Sequence, residues 1–117
     1  MENSITQIAD DRFDQEIIAG DPSRYDAIEI HPVRDFLSGQ VDQGTCVEVD
    51  YVSPNFISTY LHCKQGGVEC IGDHPSYALA KAYAQEMSAK YDWPINDFVP
   101  KQFHAALPTH ELDTAGA

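Results

Sequence analysis

The chain has 117 residues, 43% of them hydrophobic, with 19 acidic against seven basic residues and a formal charge of −12. Those values describe one globular domain with a single core rather than a disordered chain, and the acidic excess disfavours direct binding to a DNA or RNA backbone. No apolar run approaches the roughly 18 residues of a membrane-spanning helix, Met-Glu-Asn-Ser lacks the features of a signal peptide, and three cysteines are an odd count for a secreted disulfide framework.

The first periodic segment runs from Ser4 to Ala19. Ser4 can cap a helix whose apolar stripe is Ile5, Ile8, Ala9, Phe13 and Ile17, closed by Gly20, Asp21 and Pro22. Asp10, Asp11, Asp14 and Glu16 lie off that stripe and form an acidic outer surface, either simply solvated or a contact for a basic partner.

Tyr25 to Arg34 reads as a strand, with Ile28 and Ile30 on one face and Ala27, Glu29 and His31 on the other. Pro32 cannot donate to a ladder and argues for a strand end or an edge position. Asp35 to Thr45 reads as a loop around Gly39 and Gly44, and Cys46 to Val52 as a second alternating run that ends at Ser53-Pro54-Asn55.

Ile57–Lys64 and Val68–Ile71 flank Gln65-Gly66-Gly67, which predicts a hairpin because paired glycines supply the positive φ of tight turns. A two-residue turn at Gly66-Gly67 sets Cys63 opposite Cys70 and Lys64 opposite Glu69. Thr59, Leu61, Cys63, Val68 and Cys70 then share the core face, leaving Tyr60, His62, Glu69 and Ile71 on the other. After Asp73-His74-Pro75 a helix is expected, with Asp73 or His74 able to cap it, Pro75 at its first position, and Leu79, Ala80, Tyr83, Ala84, Met87 and Tyr91 as its buried stripe. Asp92-Trp93-Pro94 stops it. Pro94 to Val99 is a short closing strand or a packed loop, and Gln102 to Leu107 can hold one helical turn.

The expected fold is therefore α+β: an antiparallel sheet of three to four strands, with the N-terminal helix and a second helix packed on one face. Residues 1–100 form the domain and 101–117 a partly flexible extension.

Chemical motifs are sparse. His62, Cys63, Cys70 and His74 are zinc-type ligands close in sequence, but their spacing matches no common zinc motif and strand neighbours point to opposite faces. A Cys63–Cys70 bridge is conceivable in the two-residue-turn register, although thiols are expected in a reducing compartment. No nucleophile elbow, dinucleotide fingerprint or phosphate loop occurs, and no cofactor is implied. Tyr60, beside His62 on the face away from the expected core, suits a binding surface.

The block Gly66-Gly-Val-Glu-Cys-Ile-Gly-Asp-His-Pro-Ser76, with Ala80-Lys-Ala-Tyr-Ala84 and Tyr91-Asp-Trp-Pro-Ile95, resembles small uncharacterised acidic proteins of bacterial plasmids, phages and mobile elements. That resemblance implies no particular activity; small acidic proteins of mobile elements include anti-defence inhibitors that occupy nucleic-acid-binding surfaces, and this chain is similar to those in size and charge only. The leading expectation is a non-enzymatic, cytoplasmic interaction module that engages a basic surface on a protein partner through Asp10, Asp11, Asp14, Glu16, Tyr60 and Glu69, with no nucleic-acid or membrane contact. The alternative is a small enzyme or metal protein using His62, Cys63, Cys70 or His74. A homodimer through an exposed edge at Ile28–His31 is compatible with either.

Overall fold

A computed structural model describes residues 10–35 and 47–108. Their elements are β1 (Asp11–Arg12), α1 (Asp14–Ile18), β2 (Tyr25–Asp35), β3 (Val47–Val49), β4 (Phe56–Cys63), β5 (Val68–His74), α2 (Tyr77–Tyr91) and β6 (Ile95–Asp97). The expected loop from Asp35 to Thr45 lies outside the described residues apart from Asp35, which pairs with Val47, and Cys46, the tail from Thr109, Ser4, Ile5, Ile8 and Ala9 lie outside them too.

The α+β class holds, but the sheet is larger than expected and mixed. Six strands run β1-β5-β4-β2-β3, with β6 also pairing β2. All pairings are antiparallel except β6 on β2, which is parallel, Ile28 opposite Ile95 and Ile30 opposite Asp97. β6 and β3 thus take successive stretches of the same side of β2. That arrangement explains Pro32, which sits inside an 11-residue strand and at no strand end. Phe98 N–H donates to the Ile30 carbonyl and Asp50 N–H to the Pro32 carbonyl. The proline nitrogen therefore points to the junction where β6 gives way to β3, where no donor is required. The same pairing removes the proposed dimer edge: Ile28–Ile30 is hydrogen-bonded to β4 on one side and β6 on the other.

The hairpin register is also different. His62 pairs with Val68, Leu61 with Glu69 and Tyr60 with Cys70, with a bulge before Thr59 meets Gly72. Cys63 accepts from Gly66 N–H and donates its own N–H to the Gly67 carbonyl, so the turn is longer than two residues and the pairing slips. Gly66 and Gly67 have φ of 113° and 80°, conformations that glycine adopts without a Cβ penalty. Cys63 and Cys70 consequently stand on opposite faces as free thiols.

Among the described residues of the expected N-terminal helix, only Asp14–Ile18 is helical. Before it, Asp11 and Arg12 pair with Asp73 and Gly72, and Phe13 N–H donates to the Ile71 carbonyl. Unpaired groups on the β5 edge capture these residues as strand, a tertiary gain that overrides helical periodicity.

α2 covers one sheet face. Ser76, not Asp73 or His74, caps it by accepting from Leu79 N–H, because β5 continues through His74; Pro75 therefore precedes the cap and does not occupy the first helical position. Ala80, Tyr83, Ala84 and Met87 bury against Ile28, Ile30, Ile57, Leu61 and Ile71, each large side chain contributing about 1.5–3 kcal/mol of burial. Leu79, placed on that stripe by its spacing, is instead exposed. Trp93 closes the core edge-on to Tyr25, and Val99 and Phe103 join it, the latter from a 3-10 turn at Lys101–Phe103. Among the described residues no helix is long and apolar enough to cross a membrane.

Candidate functional site

The sheet face away from α2 is set by register. Glu29 pairs with Tyr60 and Asn96, Ala27 with His62, His31 with Ser58, Cys70 with Tyr60, and Asp73 with Ser58 and Asp11. Alternation along each strand places these side chains together. The face is closed at one end, where Val33, Phe56 and Ser58 are buried, and opens toward Tyr60, His62 and Val68.

Three rings build its centre. Phe98 stacks on His31 with centroids 4.7 Å apart and planes 5° from parallel. Tyr60 meets the same imidazole edge-on at 5.4 Å. Phe98 is nevertheless 45% exposed, so its outer surface remains free. Beneath it His31 Nε2 lies 2.8 Å from Glu29 Oε1, the two side chains retaining only 14% and 16% exposure. With Nε2–H donating to the carboxylate, Nδ1 is an acceptor, and it is buried with no hydrogen-bond partner.

Carboxylates surround the rings. Asp26 Oδ1 accepts from His62 at 2.7 Å, and Asp73 accepts from Ser58 Oγ at 2.6 Å and from the Cys70 thiol at 3.4 Å. Asp11 joins the rim through its pairing with Asp73. Among the described strand residues no Lys or Arg shares this face: Arg12 lies over the Tyr83 ring on the helix side, Arg34 shares the parity of Ile28 and Ile30, and Lys64 belongs to the turn. Burial pushes the Tyr60 hydroxyl up to about 12, with nearby Cys70 reinforcing it. Burial likewise pushes the Cys70 thiol up to about 12, reinforced by Asp73. Both groups are therefore neutral hydrogen-bonding partners at physiological pH, and Cys70 is not poised as a nucleophile.

The remaining sequence candidates separate. Asp10 accepts from buried His74, and Asp14 accepts from the Tyr83 hydroxyl at 2.5 Å, so both are engaged in holding the N-terminal segment to β5 and α2. Glu16 is exposed on α1. Glu69 lies on the helix side and accepts from the Tyr25 hydroxyl at 2.6 Å. Of the acidic set, Asp11 alone shares the open face with Tyr60.

The zinc-type quartet does not converge, since His62 and Cys70 face one way and Cys63 and His74 the other. Among the described residues no group of three or more His, Cys, Asp or Glu side chains could hold a metal ion. Asp10, His74 and Thr59 do form an acid–imidazole–hydroxyl chain, with 3.0 Å between His74 Nε2 and Thr59 Oγ1. Thr59 and His74 are both fully buried, however, which leaves a nucleophile no access to substrate. That chain acts as an internal clasp.

Alternation already separates Glu29 and His31 from Ile28 and Ile30, and Asn96 on β6 and Phe98 just after it follow the same parity. Nothing local indicates that β6 lies beside β2, so the Phe98–His31 stack has no signature in sequence. Comparison with protein-family models, curated proteins and solved structures finds no match to this chain.

Proposed function

We propose that this protein is a non-enzymatic acidic interaction module that docks its open sheet face onto a basic surface of a protein partner. The observation that carries this reading is the composition of that face: an exposed aromatic stack, Phe98 on His31 beside Tyr60, ringed by Asp11, Asp26, Glu29 and Asp73 without a Lys or Arg among the described strand residues. Aromatic anchors supply binding energy through desolvated contact, and the surrounding acids steer and register a cationic partner. The chain's charge of −12 extends that field over the whole molecule. The likeness in size and charge to anti-defence inhibitors of mobile elements favours, as that basic surface, the nucleic-acid-binding face of a host defence protein.

The test is affinity capture from host lysate at low and high salt with wild-type chain and Phe98→Ala. A stoichiometric basic protein that is retained at low salt, released at high salt and lost with Phe98→Ala is the expected result. Capture that ignores both salt and the substitution contradicts the reading.

A further inference from the structure

The other side of the sheet carries a feature that docking does not use. Where β4 turns into β5, a depression of about 440 Å³ is lined by Ser23, Arg24, Cys63, Lys64, Gln65 and Glu69. It adjoins a second, of about 300 Å³, walled by Pro22, Tyr25, Tyr91 and Trp93, and the two share Ser23 and Lys64. We propose that this double depression binds a small aromatic anion, its ring against Tyr91 and Trp93 and its charged group against Lys64 and Arg24.

Charge is the first argument. Acids outnumber bases 19 to 7 in the chain, yet the larger depression is lined by two cations and one carboxylate. Lys90 adds a third cation nearby, 5.3 Å from the centroid of Tyr91. Anions are repelled by most of this surface and meet here two lining cations beside one lining carboxylate, with Asp21 and Asp26 close by.

The cations here differ from those elsewhere in how they are held. Arg12 is paired with Glu86 and Lys81 with Asp97. Lys64 has no ion pair or side-chain hydrogen bond among the described residues; its backbone N–H holds the Arg24 carbonyl. Arg24 is fixed, with Nη2 donating to the Ile17 carbonyl at 2.8 Å and its guanidinium 4.8 Å from the Tyr25 centroid. One cation is thus oriented in advance while the other is free to close on a ligand.

Third, the adjoining wall suits a planar ring. Trp93 stacks on Tyr91 at 4.5 Å and meets Tyr25 edge-on at 6.1 Å. Opposing the anion are Glu69, whose carboxylate is partly occupied by the Tyr25 hydroxyl, and Asp21, 3.8 Å from Arg24 Nε. Cys63 contributes a neutral thiol, since burial and then Glu69 raise its pKa. Both volumes are of small-ligand size.

Trp93 is the single tryptophan, so its fluorescence reports on the wall. At constant ionic strength the purified chain is titrated with phenyl phosphate, benzoate, benzyl alcohol and inorganic phosphate. A saturable change with at least one aromatic anion is expected, with benzyl alcohol and inorganic phosphate at least about tenfold weaker. Lys64→Gln weakens that binding by about five- to tenfold. Glu69→Gln, which keeps an acceptor for Tyr25 and removes the opposing charge, tightens it. No saturable response, equal affinity for either control probe, or unchanged affinity in both variants overturns the proposal.

Discussion

Asp10 Oδ1 lies 2.6 Å from Nδ1 of His74, joining positions 64 residues apart. The imidazole is fully buried and its other nitrogen meets the Thr59 hydroxyl, so this side chain clasps the strand Asp11–Arg12 to the sheet edge alongside the β1–β5 pairing and the Tyr83–Asp14 bond. Burial holds His74 below its ordinary 6.5, prevailing over the upward pull of Asp10 and of Asp73, with Arg12 adding to the lowering; Tyr83 closes the site with its ring 5.4 Å away. The unfolded chain therefore takes up this proton at a higher pH than the folded one. Stability from this group is full above about 6.5 and falls as the pH drops from there toward the folded value, by at most about 1.4 kcal/mol per pH unit. Urea unfolding at a series of pH values checks it: His74→Gln flattens the slope in that window and costs about 1–3 kcal/mol at neutral pH, as Asp10 and Thr59 lose their partner. An unchanged slope contradicts the assignment.

Gly72 allows that edge to close. A Cβ at this position would stand 2.8 Å from Tyr83 Cε2 and 2.9 Å from the Asp11 carbonyl oxygen. The backbone oxygen cannot move without breaking the β1–β5 pairing. Gly72→Ala is expected to destabilise the fold by about 1–3 kcal/mol, measured by thermal or denaturant unfolding. A neutral effect would mean that the N-terminal segment is not held against β5.

These two contacts also explain what the sequence made legible. Alternation in Tyr25–Arg34 and the spacing of Ala80, Tyr83, Ala84 and Met87 identify a strand and a helix face correctly, because each reports burial against a single neighbouring layer. Asp11 and Arg12 carry a helical pattern yet form strand, since their partners are Asp73 and Gly72, far along the chain. The slip of Cys70 from Cys63 to Tyr60 has a similar origin: a longer turn reverses the faces of Val68, Glu69 and Cys70, while the β4 residues keep theirs and the bulge restores the pairing parity from Gly72 onward. Tyr60 was readable as an outward aromatic. The Phe98–His31 stack beside it was not, because it depends on the parallel pairing of β6 with β2.

Cys70 is expected to be inert in the native state. Its thiol is pushed up to about 12 by burial and by Asp73, so only a minute thiolate fraction exists near neutrality. Iodoacetamide at pH 8, read out by peptide mass spectrometry, should leave Cys70 largely unlabelled until denaturant is added. Prompt native labelling at that position would contradict the buried geometry.

Phe98→Ala should separate binding from folding. The ring is exposed on its outer side and absent from the main core, so the expected stability change is below about 1 kcal/mol. Loss of a central aromatic anchor costs about 1–2 kcal/mol or more in affinity. Parallel unfolding curves and partner titrations check both halves, and a large loss of stability would make Phe98 a packing residue.

The docking face is tested most directly by hydroxyl-radical footprinting of the chain alone and in complex with its captured basic partner. Oxidation of Phe98, Tyr60 and His62 should fall sharply in the complex, while Tyr91 at the turn end stays as reactive as in the free chain. Unchanged oxidation at Phe98 and Tyr60, with protection moved to Glu16 or to Tyr51 and Val52, would contradict the account.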